Sequence, residues 1–357
     1  MRTEEEALRQ IERVRSRKPQ LNADRVTLVH GAGGKASATL IQAIFVEAFG
    51  APDPDELSDG AVLAVGAGRL AYSTDSYVVN PIRFPGASIG ELAVNGTVND
   101  LAVCGARPQW LSAAFIIEEG MAVEELRGVV ADMARAAEAA GVRIVTGDTK
   151  VVPKGAGDQV FITTSGIGVI PDDRSLGAKR VQAGDKLILS GPIAGHGMAV
   201  MIARNNLEMN ASIESDSAPV NSLVEALYAA VPADDVRWMR DPTRGGLGTI
   251  TNELAADTGL GILLEDEAIP VAPQVRGACD MLGIDPLYVA NEGCFVAVVA
   301  AQQADAAVAA LRTAGAKQAT VIGKVSAELP GVVAIRNGFG GTRLVDMLVG
   351  DPLPRIC

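Results

Sequence analysis

Four aspartates stand at the ends of strand-like or helical runs: Asp75 in TDSYVV, Asp100 in NGTVNDLA, Asp148 in GDTK and Asp241 in DPTRGG. Magnesium prefers hard carboxylate oxygens, and one or two suffice when water and nucleotide phosphates complete its octahedron. The set fits a Mg-ATP site, although each aspartate taken singly reads more simply as a cap or turn residue. A second feature is GAGGK, Gly31 to Lys35. Backbone amides at Gly33 and Gly34 can approach phosphate oxygens while Lys35 adds a cation. The spacing is not that of a Walker A loop, since Ala36 follows the lysine, and a flexible glycine linker explains the pattern equally well.

The third feature is a thiol. Cys357 is the last residue of the sequence, on the seven-residue arm DPLPRIC. Two prolines favour an extended arm, and seven residues reach about 25 Å at most, far enough to swing between a cleft and a partner. No aliphatic segment follows the cysteine, which disfavours prenylation. Lys150 and Glu292 are both candidates for a base that would serve this thiol chemistry. Cys104, Cys279 and Cys294 lie among apolar neighbours and read as buried, inert thiols. With no CxxC spacing and two histidines, His30 and His196, a zinc or iron site is not expected. Both histidines lie beside glycine and read as turn residues facing solvent or capping.

The elements that must hold these groups follow from periodicity. A helix is expected over Ala38 to Phe49 with Ser37 as N-cap, then strands at Ala61–Val65 and Leu70–Ser73. In Ser88 to Cys104, apolar Ile89, Leu92 and Ala93 define one side of a helix while Glu91, Asn95 and Asn99 form a polar stripe on another. A helix over Val123–Ala140, the strand RIVTGDTK and an alternating strand over Gln159–Ile170 close the first half. The Pro-, Gly- and charge-rich stretch PDDRSLGAKRVQAGD marks the boundary. Beyond it are a strand KLILS, helices around Met198–Asn205, Asn221–Val231 and Ala304–Ala314, a turn entering a helix at DPTRGGLGT, and strands at Gly261–Leu264, Cys294–Val299 and Thr320–Val325.

At 357 residues and 36.8 kDa, the chain has room for two domains, each with its own core. A 48% hydrophobic, 21% charged composition excludes a disordered chain, and a net charge of −12 argues against nucleic-acid binding. No apolar run is long enough to span a membrane, and Met1 to Lys18 has no apolar segment of a signal peptide, so the expected location is cytoplasmic.

Together TDSYVVNP, NGTVNDLAVCGA, GDTKVV, DPTRGGLGT, NEG and PRIC, in that order over nearly the whole chain, resemble the HypE family of hydrogenase maturation proteins. That family is part of the ATP-binding superfamily typified by aminoimidazole ribonucleotide synthetase (PurM). NDLA with a following GA is shared across the superfamily; the closing Pro-Arg-Ile-Cys is what points to HypE. The resemblance implies a two-domain α/β (α+β) PurM-like fold. Its parts would be an ATP-binding and dimerisation domain over 1–175 with a barrel-like interface between two copies, an α+β domain over 176–345, and a mobile tail over 346–357.

The resemblance also implies an activity and a site. The activity is ATP-dependent dehydration of an S-carbamoyl group on Cys357 to a thiocyanate, the source of cyanide for nickel-iron hydrogenase. Mg2+ would be held by Asp75, Asp100, Asp148 and Asp241. Nucleotide contacts would come from Gly33, Gly34, Lys35, Asn99, Asp100, Asp148, Thr149, Asp241, Arg244, Gly245 and Gly246, with Lys150 and Glu292 beside Cys357 in catalysis. Partners would be a second copy, a HypF-type carbamoyltransferase and the HypC–HypD iron scaffold. Alternatives are another PurM-like synthetase or kinase, for which a terminal acceptor thiol has no use, and a carrier that ferries a group on Cys357 without catalysis.

Overall fold

The computed structural model describes residues 34–40, 42, 61–65, 68–205, 207, 212–347 and 355–357. Helix α1 (Gly34–Leu40) begins three residues before Ser37, which is therefore inside the helix and not its cap. The first turn of a helix lacks intrahelical acceptors for its N–H groups, so glycine costs least there. Gly33 and the rest of the expected helix beyond residue 42 lie outside the described residues.

Strands β1 (Ala61–Val65), β2 (Gly68–Tyr77), β5 (Arg107–Glu118), β6 (Arg143–Val152) and β7 (Val160–Ile170) form a sheet in the order β1-β2-β7-β5-β6. Two-residue strands β3 (Arg83–Phe84) and β4 (Ala87–Ser88) form a small hairpin ahead of α2 (Ile89–Val103). β6 runs parallel to β5 after the crossover helix α3 (Val123–Ala140), and the other pairings are antiparallel. Ser88 and Glu91 make a capping box that starts α2. Every residue of α2 except Glu91 is buried, because the sheet, α3 and the second half of the chain enclose it. The other face of the sheet is open: Tyr72, Ile167 and Trp110 lie in one row across β2, β7 and β5, with Tyr72 43% and Trp110 39% exposed.

A seven-stranded sheet follows, in the order β14-β13-β10-β12-β8-β11-β9. Its strands are β8 (Lys186–Leu189), β9 (Val236–Arg240), β10 (Gly261–Glu265), β11 (Val296–Val299), β12 (Thr320–Ser326), β13 (Val333–Arg336) and β14 (Thr342–Val345). β11, VAVV, is buried at every position. A continuous apolar run of that kind needs cover on both faces. On one side the cover is α6 (Gly246–Thr258), through Leu247, Ile250 and Leu254. On the other it is α5 (Asn221–Ala230) and α8 (Ala304–Thr313), through Val224, Leu227, Ala307 and Leu311. α4 (Gly195–Arg204), which starts three residues earlier than its pattern suggests, and α7 (Pro273–Leu282) pack against the first half instead. No helix among the described residues is long and apolar enough to cross a membrane.

Candidate active site at the cleft between the two sheets

The period of two along β2 sends Ser73, Asp75 and Tyr77 toward α2. The Ser73 hydroxyl donates to Asp100 Oδ2 at 2.5 Å, and the Tyr77 hydroxyl donates to Asp75 Oδ2 at 3.3 Å. Tyr77 is driven well above the ordinary phenol range by burial, then by the carboxylates of Asp75, Asp100 and Glu292. It is a neutral donor at any working pH.

The polar stripe of α2 is spent on tying neighbouring segments together. Asn99 Nδ2 donates to the carbonyls of Ala218 and Glu292, both at 3.1 Å, and its Oδ1 accepts from Val220 N at 2.8 Å. Asn95 Nδ2 donates to Ser217 Oγ at 3.1 Å. Asn99 therefore anchors the segment bearing Glu292, a role that its place in the nucleotide-binding set does not suggest.

Asp241, 3% exposed, follows β9 directly and leads into Arg244, Gly245 and Gly246. Gly245 and Gly246 have φ values of 75° and 59°, and α6 starts on them without a side-chain cap. The Gly246 N–H closes this turn by donating to the Thr243 carbonyl at 2.9 Å, and the uncapped N-terminus of α6 that follows is what phosphate oxygens can approach. Asn291 ties this turn to the start of α4: its Nδ2 donates to the Pro242 carbonyl at 2.8 Å and its Oδ1 accepts from Ala194 N at 2.6 Å.

Glu292, 3% exposed, is raised well above the usual carboxylate range. Burial is the largest cause, followed by the carboxylates of Asp241, Asp216 and Asp75, with Arg244 opposing. Arg244 is raised chiefly by the negative charge of Cys357, with Asp75, Glu292 and Asp100 adding against its burial. The fold thus gathers Asp75, Asp100, Asp241, Glu292, Arg244 and Cys357 into one electrostatic neighbourhood.

It does not gather the rest. In the β5–β6 pairing, Leu111 faces Ile144 but Ser112 faces Thr146, so one extra residue, Val145, enters β6. Asp148 consequently lies beside Ala114 and Lys150 beside Ile116, on the open face, opposite to Asp75. Asp148 and Asp75 are three strands apart, about 14 Å. Asp148 accepts from Thr149 N at 2.8 Å and pairs with Lys150 Nζ at 3.1 Å, and these donors hold its carboxyl below the usual range. Lys35 is exposed, with its amine 3.7 Å from Asp346.

The segment 355–357 rests in the cleft. Ile356 is 4% exposed within the core of the first half, and Cys357 packs partly buried beside it. The Cys357 carbonyl oxygen accepts from Val78 N at 3.1 Å, and Arg355 reaches Asp158 Oδ2 at 2.7 Å and the Val78 carbonyl at 3.0 Å. Of the internal thiols, Cys279 is pushed to about 11 and Cys294 well above the ordinary range, burial dominating in both, while Cys104 is partly exposed. His196, expected in a turn at the surface, is wholly buried, and burial lowers it to about 4.

With this geometry in view, the similarities have a physical frame. Residues 57–170 match the family of AIR synthase related protein N-terminal domains, and residues 182–335 match the corresponding C-terminal domains. The chain is 53% identical to carbamoyl dehydratase HypE of Rhodobacter capsulatus, over 94% of this chain and 99% of that protein. The chain belongs to the carbamoyl dehydratase HypE family. HypE in a HypE–HypF complex superposes with a TM-score of 0.82 at 43% identity, over 87% of this chain and 99% of that one. HypE in complex with ATP does so with a TM-score of 0.78 at 45% identity, over 93% and 100%. The PurM-like α/β fold read from the HypE motifs is therefore the observed one.

Two residues of this cluster escaped sequence reasoning. Asp216 accepts from Glu292 N at 3.2 Å and from Gly293 N at 3.1 Å, and burial raises it to about 6. A Cβ at Gly293 would stand 1.7 Å from the Asp216 carbonyl, so glycine in NEG is what lets these backbones meet. Asn291 lay in the same motif, but its role as a clamp shows only when β9 and α4 are brought together.

Proposed function

We infer that the chain is an ATP-dependent carbamoyl dehydratase of nickel-iron hydrogenase maturation, and we propose that Cys357 carries its substrate. The observation that supports this most is the convergence on Arg244 of Cys357, Asp75, Glu292 and Asp100. A thiol that bears a carbamoyl group there would present it beside a cation, a phosphate-ready helix start and a base.

In the reaction, the carbamoyl oxygen takes the γ-phosphoryl group of ATP and one N–H proton leaves, giving an imidate-type phosphate and ADP. Loss of the second N–H proton then expels phosphate and leaves S–C≡N. The amide oxygen departs in the phosphate, so no external water is consumed. The protein's part is positioning and charge neutralisation. We assign Glu292 as the base: its environment raises its proton affinity, and Arg244 keeps the ionised form within reach. Gly245, Gly246 and Arg244 would take the phosphates.

Asp75 and Asp241 fit Mg2+, since their repulsion with Glu292 is what a dication relieves, and Asp100 adds its negative charge to the same neighbourhood around Arg244 and Tyr77. No group of three or more His, Cys, Asp or Glu side chains disposed to hold a metal ion occurs among the described residues. The ion would accordingly be shared with the triphosphate, and it would supply charge neutralisation at the γ-phosphate.

The open face of the first sheet, with Tyr72, Trp110 and Ile116 exposed, supports a homodimer formed through it. Such closure would bring Asp148 and Lys150 of one copy against the other. The units 1–175, 176–345 and 346–357, a HypF-type carbamoyltransferase and the HypC–HypD scaffold as partners, and a cytoplasmic location complete the proposal. Its test is intact-mass analysis with a carbamoyl donor system and Mg-ATP. Gain of one carbamoyl group followed by loss of one water supports it, and no mass change refutes it.

A further inference from the structure

Each carbonyl of the segment 355–357 is held by a different donor. Arg204, at the end of α4, donates to the Arg355 carbonyl; His196, at the start of α4, lies with Nε2 3.0 Å from the Ile356 oxygen; Val78 N takes that of Cys357 at 3.1 Å. The His196 contact differs from the other two in being fully enclosed. Its ring is 0% exposed and packs T-shaped with Phe84, at 5.4 Å between centroids and 82° between planes.

The tautomer follows from the partners. A carbonyl can only accept, so Nε2 carries the proton and Nδ1 is an acceptor. Ser215 Oγ lies 2.8 Å from Nδ1 and already accepts from Ser217 N at 3.1 Å, which leaves its O–H to donate to the ring. A peptide unit is planar, so holding the Ile356 carbonyl fixes the plane that enters Cys357. Val78 fixes the carbonyl that leaves it. Between these two anchors the thiol keeps little freedom beyond its own χ1.

The same short segment also holds the base. Ser215 fixes His196, Asp216 accepts from the backbone of Glu292 and Gly293, and Ser217 accepts from Asn95 of α2. We propose that His196, set by Ser215, is a positioning residue that locks the Ile356 carbonyl and so registers the Cys357 thiol against Glu292 through the 215–217 segment. This rests on Cys357 as the substrate-bearing residue, but docking of the segment is measurable without any carbamoyl chemistry.

The test compares His196→Leu with His196→Gln in the full chain, each first shown to melt cooperatively and to bind Mg-ATP. Alkylation of Cys357 by iodoacetamide is followed by peptide mass mapping, and single-turnover dehydration is followed on carbamoylated protein. His196→Leu should speed Cys357 alkylation about tenfold, the equivalent of one net hydrogen bond, and slow dehydration by at least about tenfold with KM for ATP unchanged. His196→Gln, which keeps a donor in reach, should restore both to within about threefold of the native chain. If His196→Leu fails to fold, Ser215→Ala should still raise the alkylation rate measurably. Native alkylation and dehydration rates in folded His196→Leu, equal impairment in His196→Gln, or no change in Ser215→Ala would overturn the assignment. Faster alkylation in a chain that never acquires a carbamoyl group would instead refute the proposed substrate and leave the docking role standing.

Discussion

The cleft and the edge strand β6 carry the same sequence signature, an aspartate expected at a strand end that the fold places inside the strand, Asp75 in β2 and Asp148 in β6, and opposite physics. In the cleft, burial and then the carboxylates of Asp241, Asp216 and Asp75 raise Glu292, and Arg244 offsets only part of that repulsion, so the carboxylates are in mutual conflict that a bound cation would relieve. On β6, Asp148 is exposed and already satisfied by Lys150 and its neighbour's N–H. A stored conflict marks the place where a ligand is needed, whereas a satisfied pair marks a surface that can wait for a partner.

The comparison breaks first at the thiol. Cys357→Ala should bind Mg-ATP as the native chain does yet never gain a carbamoyl mass, while Ala at Cys104, Cys279 or Cys294 should leave both mass changes in place. An adduct mapped to one of those three would move the reaction out of the cleft. Next in size is Glu292→Gln, which keeps the shape and removes the base. Dehydration of the preformed S-carbamoyl adduct should slow about 10²-fold or more with little change in ATP affinity, read by single-turnover quench.

Why the cleft was legible and the edge was not lies in a single residue. TDSYVV, NDLA, DPTRGG and NEG are local patterns, and local patterns determine which residue ends a strand or opens a helix. The side of the sheet to which Asp148 belongs depends on Val145, whose insertion into β6 shifts the register by one and reverses the faces. Without it Asp148 would sit beside Phe115 on the side of Asp75. No periodicity in RIVTGDTK announces that shift. His196 was illegible for another reason: its neighbours in sequence are glycines, but its partners are Ser215 and Ile356, 19 and 160 residues away.

The edge strand has its own test. Asp148→Asn should weaken Mg-ATP binding about tenfold, in the manner of a lost outer ligand. If that contribution comes through a second copy, Trp110→Glu, which puts a charge in the middle of the open face, should give a monomer by light scattering and reproduce the same loss. A Trp110→Glu monomer with native affinity would return Asp148 to the site of its own chain.

The smallest effect concerns pH. His196 is lowered from 6.5 to about 4, so between those values the unfolded chain takes up a proton that the folded chain refuses, and stability falls as pH falls. Over the full window this is about 3 kcal/mol. Asp216, raised from 3.8 to about 6, acts in the opposite sense: below about 6 the folded chain protonates first, and stability rises as pH falls toward 3.8. Between pH 4 and 6 the two nearly cancel. His196→Gln removes only the first, because the donor that Asp216 takes from residue 196 is its backbone N–H. The variant should melt below the native chain at pH 7, and the gap in Tm should narrow by a few degrees at pH 4.5. A gap of equal size at both values would mean that the ring is not held neutral, and the donor role of Nε2 in the cleft would lose its electrostatic basis.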